Sequence, residues 1–145
     1  MSESEIEELL RGASLRVTRP RVAVLTVIHE VPHADVPTIA ELVRQRLGGV
    51  STQAVYDVLK VLVDAGLARR IDLPQSPARY EVSKGDGHHH VVCRSCGTIS
   101  DVDAPAGVGV VAPGDHGFAT DAVEVTYWGV CPGCQGPQDE EELAS

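Results

Sequence analysis

Aromatic rings are scarce in this chain: Tyr56, Tyr80, Phe118, Tyr127 and Trp128 are the only five in 145 residues. Burial therefore falls to Val, Leu, Ile and Ala side chains, and a platform of stacked rings for single-stranded nucleic acid is excluded. Long apolar runs are missing as well. None approaches the roughly 18 residues that cross a bilayer, and the start MSESEIEELL is acidic where a signal peptide is basic. No membrane partner is expected, and the chain is expected in the cytoplasm, where thiols stay reduced. Neither a nucleophile elbow, a phosphate loop nor an HExxH helix occurs, so the chain is not expected to be an enzyme.

What is present is unevenly distributed. The net charge is −9, but residues 1 to 10 hold four acids and no base, residues 11 to 84 eleven bases against seven acids, and residues 85 to 145 one base against ten acids. A basic middle followed by an acidic segment rich in His and Cys points to an anion-binding module joined to a cation-holding one. The length suits one domain or two small ones.

In the first half, the stripe Ile6, Leu9 and Leu10 belongs to a segment too short for an independent helix, which is expected to dock on its neighbour. Thr18 with Pro20 opens a helix to about His29, carrying Val22, Leu25, Val27 and Ile28 on its apolar face. A second helix is predicted over Val36–Leu47 and stopped by Gly48 and Gly49; a third, capped by Ser51 and carrying Val55, Val58, Leu59 and Leu62, ends at Gly66. LARRIDL, the turn PQSP and ARYEVS read as a hairpin. Three helices and a two-stranded wing make a winged helix-turn-helix.

The boundary is placed at the polar stretch SKGDG. The expected organisation is a winged-helix DNA-binding domain over 1–83, a hinge at 84–87, a metal-binding domain over 88–136 and an acidic disordered tail over 137–145. HHHVVC and EVTYWGVC read as strands leading into cysteine pairs, and Pro105–Gly117 as a loop rich in Gly and Pro.

Cys93 and Cys96 (CRSC) with Cys131 and Cys134 (CPGC) form a double CxxC. Two residues between thiolates let one turn offer both sulfurs to one ion, and two turns complete a tetrahedral shell suited to structural Zn(II). The 34-residue interval between the pairs implies structure between the knuckles. The alternative is a zinc-containing dithiol oxidoreductase using Cys131 and Cys134, a chemistry that needs a helix after CPGC.

His88, His89 and His90 precede the first pair, and strand alternation sets His88 and His90 on one face. With oxygen ligands from Glu81 and Asp101 they suit Fe(II), Mn(II) or Zn(II); the alternative is an exposed polar turn. His33, on spacing alone, is a helix-entry residue, and His116 a solvated one. The basic residues Arg16, Arg19, Arg21, Arg44, Arg46, Arg69, Arg70 and Arg79 can face phosphates, while Ser51, Thr52, Gln53 and Tyr56 on the third helix can reach base edges in the major groove.

Together, LRVTRPR, STQAVYDVL, HHHVVCRSCG and the late CPGC resemble the ferric uptake regulator (Fur) family over about residues 8 to 135. The resemblance implies an α+β protein, an N-terminal winged helix-turn-helix followed by a small α/β dimerisation domain with a four-cysteine zinc site. It implies a homodimeric, metal-dependent repressor on double-stranded operator DNA. It also implies structural zinc at Cys93, Cys96, Cys131 and Cys134, and a regulatory Fe(II) or Mn(II) at His33, Glu81, His88 and His90, with Asp101 as a further ligand. Arg16 falls at the family's minor-groove contact and Tyr56 at its base-contacting tyrosine, with Arg19, Arg21, Ser51 and Gln53 beside them. The wording SxQAVYDVL with YWGxCPxC is similar to the iron- and peroxide-responsive regulators encoded beside catalase-peroxidase, which implies control of oxidative-stress or iron-homeostasis genes. Asp57 stands where many members carry Arg, implying altered DNA contacts. Val123 stands at a usual ligand position of an extra metal site, although His89 is retained. Pro105–Gly117 departs from the helix usual there.

Overall fold

The computed structural model describes residues 1–83, 89–103, 117–119 and 124–136. The expected hinge, His88, nearly all of the Pro105–Gly117 loop, His116, Val123 and the acidic tail lie outside the described residues. The chain divides into two compact units, Met1–Gly85 and Asp86–Ser145.

The first unit opens on α1, Glu3–Gly12, a helix that its own cap makes possible. Ser2 Oγ accepts from the Glu5 backbone N–H at 3.2 Å and the Glu5 carboxylate accepts from the Ser2 N–H at 3.0 Å, satisfying two donors that a helix start leaves open. Ile6 and Leu10 are fully buried. Thr18 caps α2, Arg19–Glu30, accepting from the Arg21 N–H at 3.3 Å. A two-residue strand, β1 (Ala34–Asp35), leads into α3, Val36–Leu47, whose cap is Asp35. Gly48 ends α3 at φ +86°, a backbone conformation for which glycine is suited. Ser51 caps α4, Thr52–Asp64, and the wing follows as β2, Ala68–Ile71, and β3, Arg79–Val82.

The wing carries one strand more than the sequence reading anticipated. Its sheet has the order β1-β3-β2, all antiparallel, with Ala34 opposite Tyr80. Two residues are too few to show a period, so β1 leaves no trace in the apolar pattern. Leu25, Ile28, Ile39, Val55, Leu59 and Leu62 form the centre of the core, each worth about 1.5–3 kcal/mol of burial.

The second unit holds β4, His89–Cys93, β5, Ile99–Val102, and β6, Thr126–Gly129. The sheet order is β5-β4-β6, with β4 antiparallel to β5 and parallel to β6. A parallel neighbour needs a long crossover connection, which accounts for the 34 residues between the cysteine pairs. Among the described residues its buried apolar set is small: Val92, Cys93 and Ile99. No helix among the described residues is long and apolar enough to cross a membrane.

Candidate metal centres and nucleic-acid face

Parallel pairing of β4 and β6 sets Cys93 opposite Gly129, so both strands run out at the same end of the sheet and their CxxC turns meet there. The four-cysteine cluster expected from the spacing is present: all four Sγ atoms lie within 4.8 Å of one another, and Cys96 Sγ is 3.7 Å from Cys131 Sγ. Zinc bonded to four sulfurs at about 2.3 Å spaces them about 3.8 Å apart, so these residues fit the ion.

The backbone prepares this cluster for an ion. N–H groups of Cys131 at 3.3 Å and Cys96 at 3.4 Å donate to Cys93 Sγ and hold its thiol down to about 6. Thr98, 2.9 Å from Cys96 Sγ, lowers that thiol too. Crowding by the Cys131 and Cys96 sulfurs pushes Cys134 up to about 12. A metal ion removes that conflict, because every ligand sulfur then faces positive charge. The described residues after Cys131 form a turn in which the Cys134 N–H reaches the Cys131 carbonyl at 3.0 Å.

Each unit also carries a histidine beside a carboxylate. In the first, pairing of β1 with β3 brings the His33 N–H to the Tyr80 carbonyl at 2.9 Å, and His33 Nε2 lies 3.0 Å from Glu81 Oε2. Its backbone sits at φ +67°, left-handed and uncommon for a residue with a Cβ; the Arg79 guanidinium clamps its carbonyl at 3.2 Å. His33 stands two residues before the α3 cap, at the helix entry that spacing predicts, and the β1 pairing that sets it beside Glu81 is invisible to spacing. In the second unit His90 and Asp101 are direct partners across β4 and β5, with Nε2 and Oδ1 3.4 Å apart. Glu81 and His90 are both buried, and Asp101 is exposed. His89 is buried too, with its ring 5.9 Å from that of Tyr127.

The α4 cap Ser51 and, on α4, Thr52, Gln53 and Tyr56 are exposed, as are Arg16 and Arg19, while Arg21 is half-buried and donates to the Arg16 carbonyl at 2.9 Å. Several other arginines are engaged within the unit. Arg44 bonds the Val50 carbonyl at 2.9 Å and Thr52 Oγ1 at 2.8 Å, bracing the turn between α3 and α4. Arg46 pairs with Glu30, and Arg70 with Asp72 at 2.8 Å. Asp72 raises the Arg70 pKa, and the Tyr56 phenol adds a smaller push in the same direction.

The ferric uptake regulator family profile matches residues 12–127. Transcriptional regulator FurA of Mycobacterium tuberculosis is 56% identical over 129 residues, covering 88% of each chain. Ferric uptake regulation protein 2 of Mycolicibacterium fortuitum is 52% identical over 136 residues, 90% of this chain and 93% of its own. Among solved structures, the Helicobacter pylori ferric uptake regulator superposes with a TM-score of 0.72 at 20% identity, over 96% of this chain and 97% of that one; it is described as having three functional metal-binding sites. At that identity the likeness carries the fold, an N-terminal winged helix followed by the smaller sheet unit with its cysteine cluster. Profile, relatives and fold agree that the chain belongs to the ferric uptake regulator family.

Proposed function

We propose that the protein is a metal-dependent transcriptional repressor that binds operator DNA as a cytoplasmic homodimer, rather than an enzyme. The observation that carries this reading is the combination, on one chain, of an exposed α4 face with two histidine–carboxylate pairs, His33 with Glu81 and His90 with Asp101. Such pairs are suited to a divalent ion of intermediate softness. His33, Glu81, His88, His90 and Asp101 are its proposed ligands, with Fe(II) or Mn(II) as occupant. Cys93, Cys96, Cys131 and Cys134 would hold Zn(II), which supplies a cross-link between β4 and β6. The proposed organisation is a DNA-binding domain over 1–83, a hinge at 84–87 and a dimerisation domain over 88–136. Ligands drawn from both domains make occupancy a bias between DNA-binding and non-binding states, and a two-fold dimer matches a pseudo-palindromic operator. Arg16, Arg19, Arg21, Ser51, Gln53 and Tyr56 are the proposed DNA contacts.

Peroxide response is the finer part of the reading, supported by the nitrogen and oxygen donors of the histidine–carboxylate pairs. Iron held there would supply one-electron reduction of hydrogen peroxide; the chain's part would be to hold the imidazoles beside it, and an oxidised imidazole would no longer serve as a ligand. Anaerobic loading with Fe(II) or Mn(II), exposure to hydrogen peroxide and peptide mass spectrometry test this. Oxygen added to His33, His88 or His90 in the Fe(II) sample alone is the expected result. Disulfides among the four cysteines, with intact histidines, would move the response to the zinc cluster.

A further inference from the structure

Gln53, Tyr56, Asp57 and Lys60 are all exposed on α4 and recur at three- and four-residue spacing, so they form one face. At the middle of that face stands a carboxylate, which DNA phosphates repel. Asp57 is not loose there. Its Oδ1 accepts from Gln53 Nε2 at 2.9 Å, while Lys60 turns one turn further on to Asp64 at 3.0 Å.

The bond fixes which way the Gln53 amide faces. Its nitrogen is held against the carboxylate with one N–H consumed, and the pair retains the Gln53 carbonyl oxygen, the rest of the Asp57 carboxylate and one N–H. Acceptors outnumber donors. In the major groove the exocyclic donors are cytosine N4 and adenine N6; guanine O6 and N7 and thymine O4 are acceptors. An acceptor-rich pair is matched to an amino group and repelled by a guanine or thymine edge.

We propose that Gln53 and Asp57 act as one base-reading unit for an exocyclic amino group, cytosine N4 or adenine N6, with Asp57 as a specificity-determining residue. The proposal rests on the operator-binding reading above and adds one selected base to each half-site. The negative charge lowers affinity for DNA at large and sharpens the distinction between sites. A pair that merely stabilised the helix would affect unfolding and leave base preference untouched.

The test is selection from a duplex pool randomised over about 20 base pairs, enough for two half-sites one helical turn apart. The full chain is loaded with Zn(II) and Mn(II), as wild type, Asp57→Ala and Asp57→Asn. The wild type is expected to enrich one base pair at a defined position of each half-site, and because every pair carries one such amino group, the analogue lacking it identifies the base read. Asp57→Ala is expected to lose that preference by about tenfold while binding unselected DNA at least as well. Asp57→Asn, close to isosteric and still able to accept from Gln53, covers the case in which the alanine variant fails to fold; its new N–H donors should shift the preference toward guanine or thymine. Wild-type binding to a selected site whose enriched pair carries an analogue lacking the amino group should fall by about the same factor, and the analogue that weakens binding tells cytosine from adenine. Unchanged preferences in both variants, or an indifferent response to the missing amino group, overturn the proposal with operator binding intact. Failure of the wild type to bind any duplex overturns the operator reading and this one with it.

Discussion

Stripping zinc from the four-cysteine cluster is expected to melt the second unit and leave the winged helix folded. Among the described residues, the second unit buries only Val92 and Ile99 as aliphatic side chains, on the order of 3–6 kcal/mol together. An ion joined to four thiolates is worth about 10–16 kcal/mol near pH 7, so the metal is the larger contributor. The first unit has its own core of Leu25, Ile39, Leu59 and their neighbours and owes nothing to the cysteines. The chain supplies separate reporters. All four helices of the described residues lie in Met1–Gly85, whereas the single tryptophan, Trp128, is on β6 with the Arg94 guanidinium 5.1 Å from its ring. An anaerobic chelator titration, with released zinc measured, should change Trp128 emission as the Arg94 contact is lost, while helical circular dichroism at 222 nm is retained. Cys96→Ser should behave the same way without chelator. Loss of both signals together, or an unmoved Trp128 spectrum after complete zinc release, would mean that zinc does not hold the second unit separately.

Other perturbations address the winged helix. Leu59→Ala, at a fully buried position, should cost about 2–5 kcal/mol in denaturant unfolding followed by helical signal; a change below about 1 kcal/mol would mean the site collapses around the void. Asp35→Ala removes the α3 cap, which accepts from the Thr38 N–H at 3.0 Å, and should cost about 1 kcal/mol at pH 7. Because Thr38 holds the Asp35 carboxyl below its ordinary range, that contribution is fully present above about pH 4 and is lost as pH falls through the lower folded value. The difference between wild type and variant should therefore shrink on acidification and not on alkalinisation. Arg44→Ala should weaken DNA binding through the unbraced turn between α3 and α4 while leaving the salt dependence unchanged; a slope shallower by about one would instead make Arg44 a phosphate contact.

Features governed by local rules were legible in the sequence. Thr18 and Ser51 announce their helices because a cap is a property of a few consecutive residues, and the apolar spacing of Ile39 and Val43 or Val55, Leu59 and Leu62 follows from the helical repeat. The double CxxC is equally local, and its cluster followed. Features made by distant pairing were not. β1 is two residues long, and its partner β3 lies some 45 positions on; without that pairing His33 has no reason to meet Glu81. β5 went unread although it places Asp101 opposite His90. Some arginines read as able to face phosphates are engaged within the unit: Arg44 braces a turn, and Arg46 and Arg70 are paired.

In the proposed function, a divalent metal at the histidine–carboxylate ligands switches DNA binding on. The most direct measurement of that switch is an anaerobic binding titration of the zinc-loaded chain against its own upstream DNA, with and without Mn(II), for wild type, His33→Ala and His90→Ala. Mn(II) is expected to tighten wild-type binding by about 5- to 150-fold, the usual range of such coupling, and both variants to remain folded with little response to the metal. Equal affinity with and without Mn(II), or variants that respond as the wild type does, would contradict it.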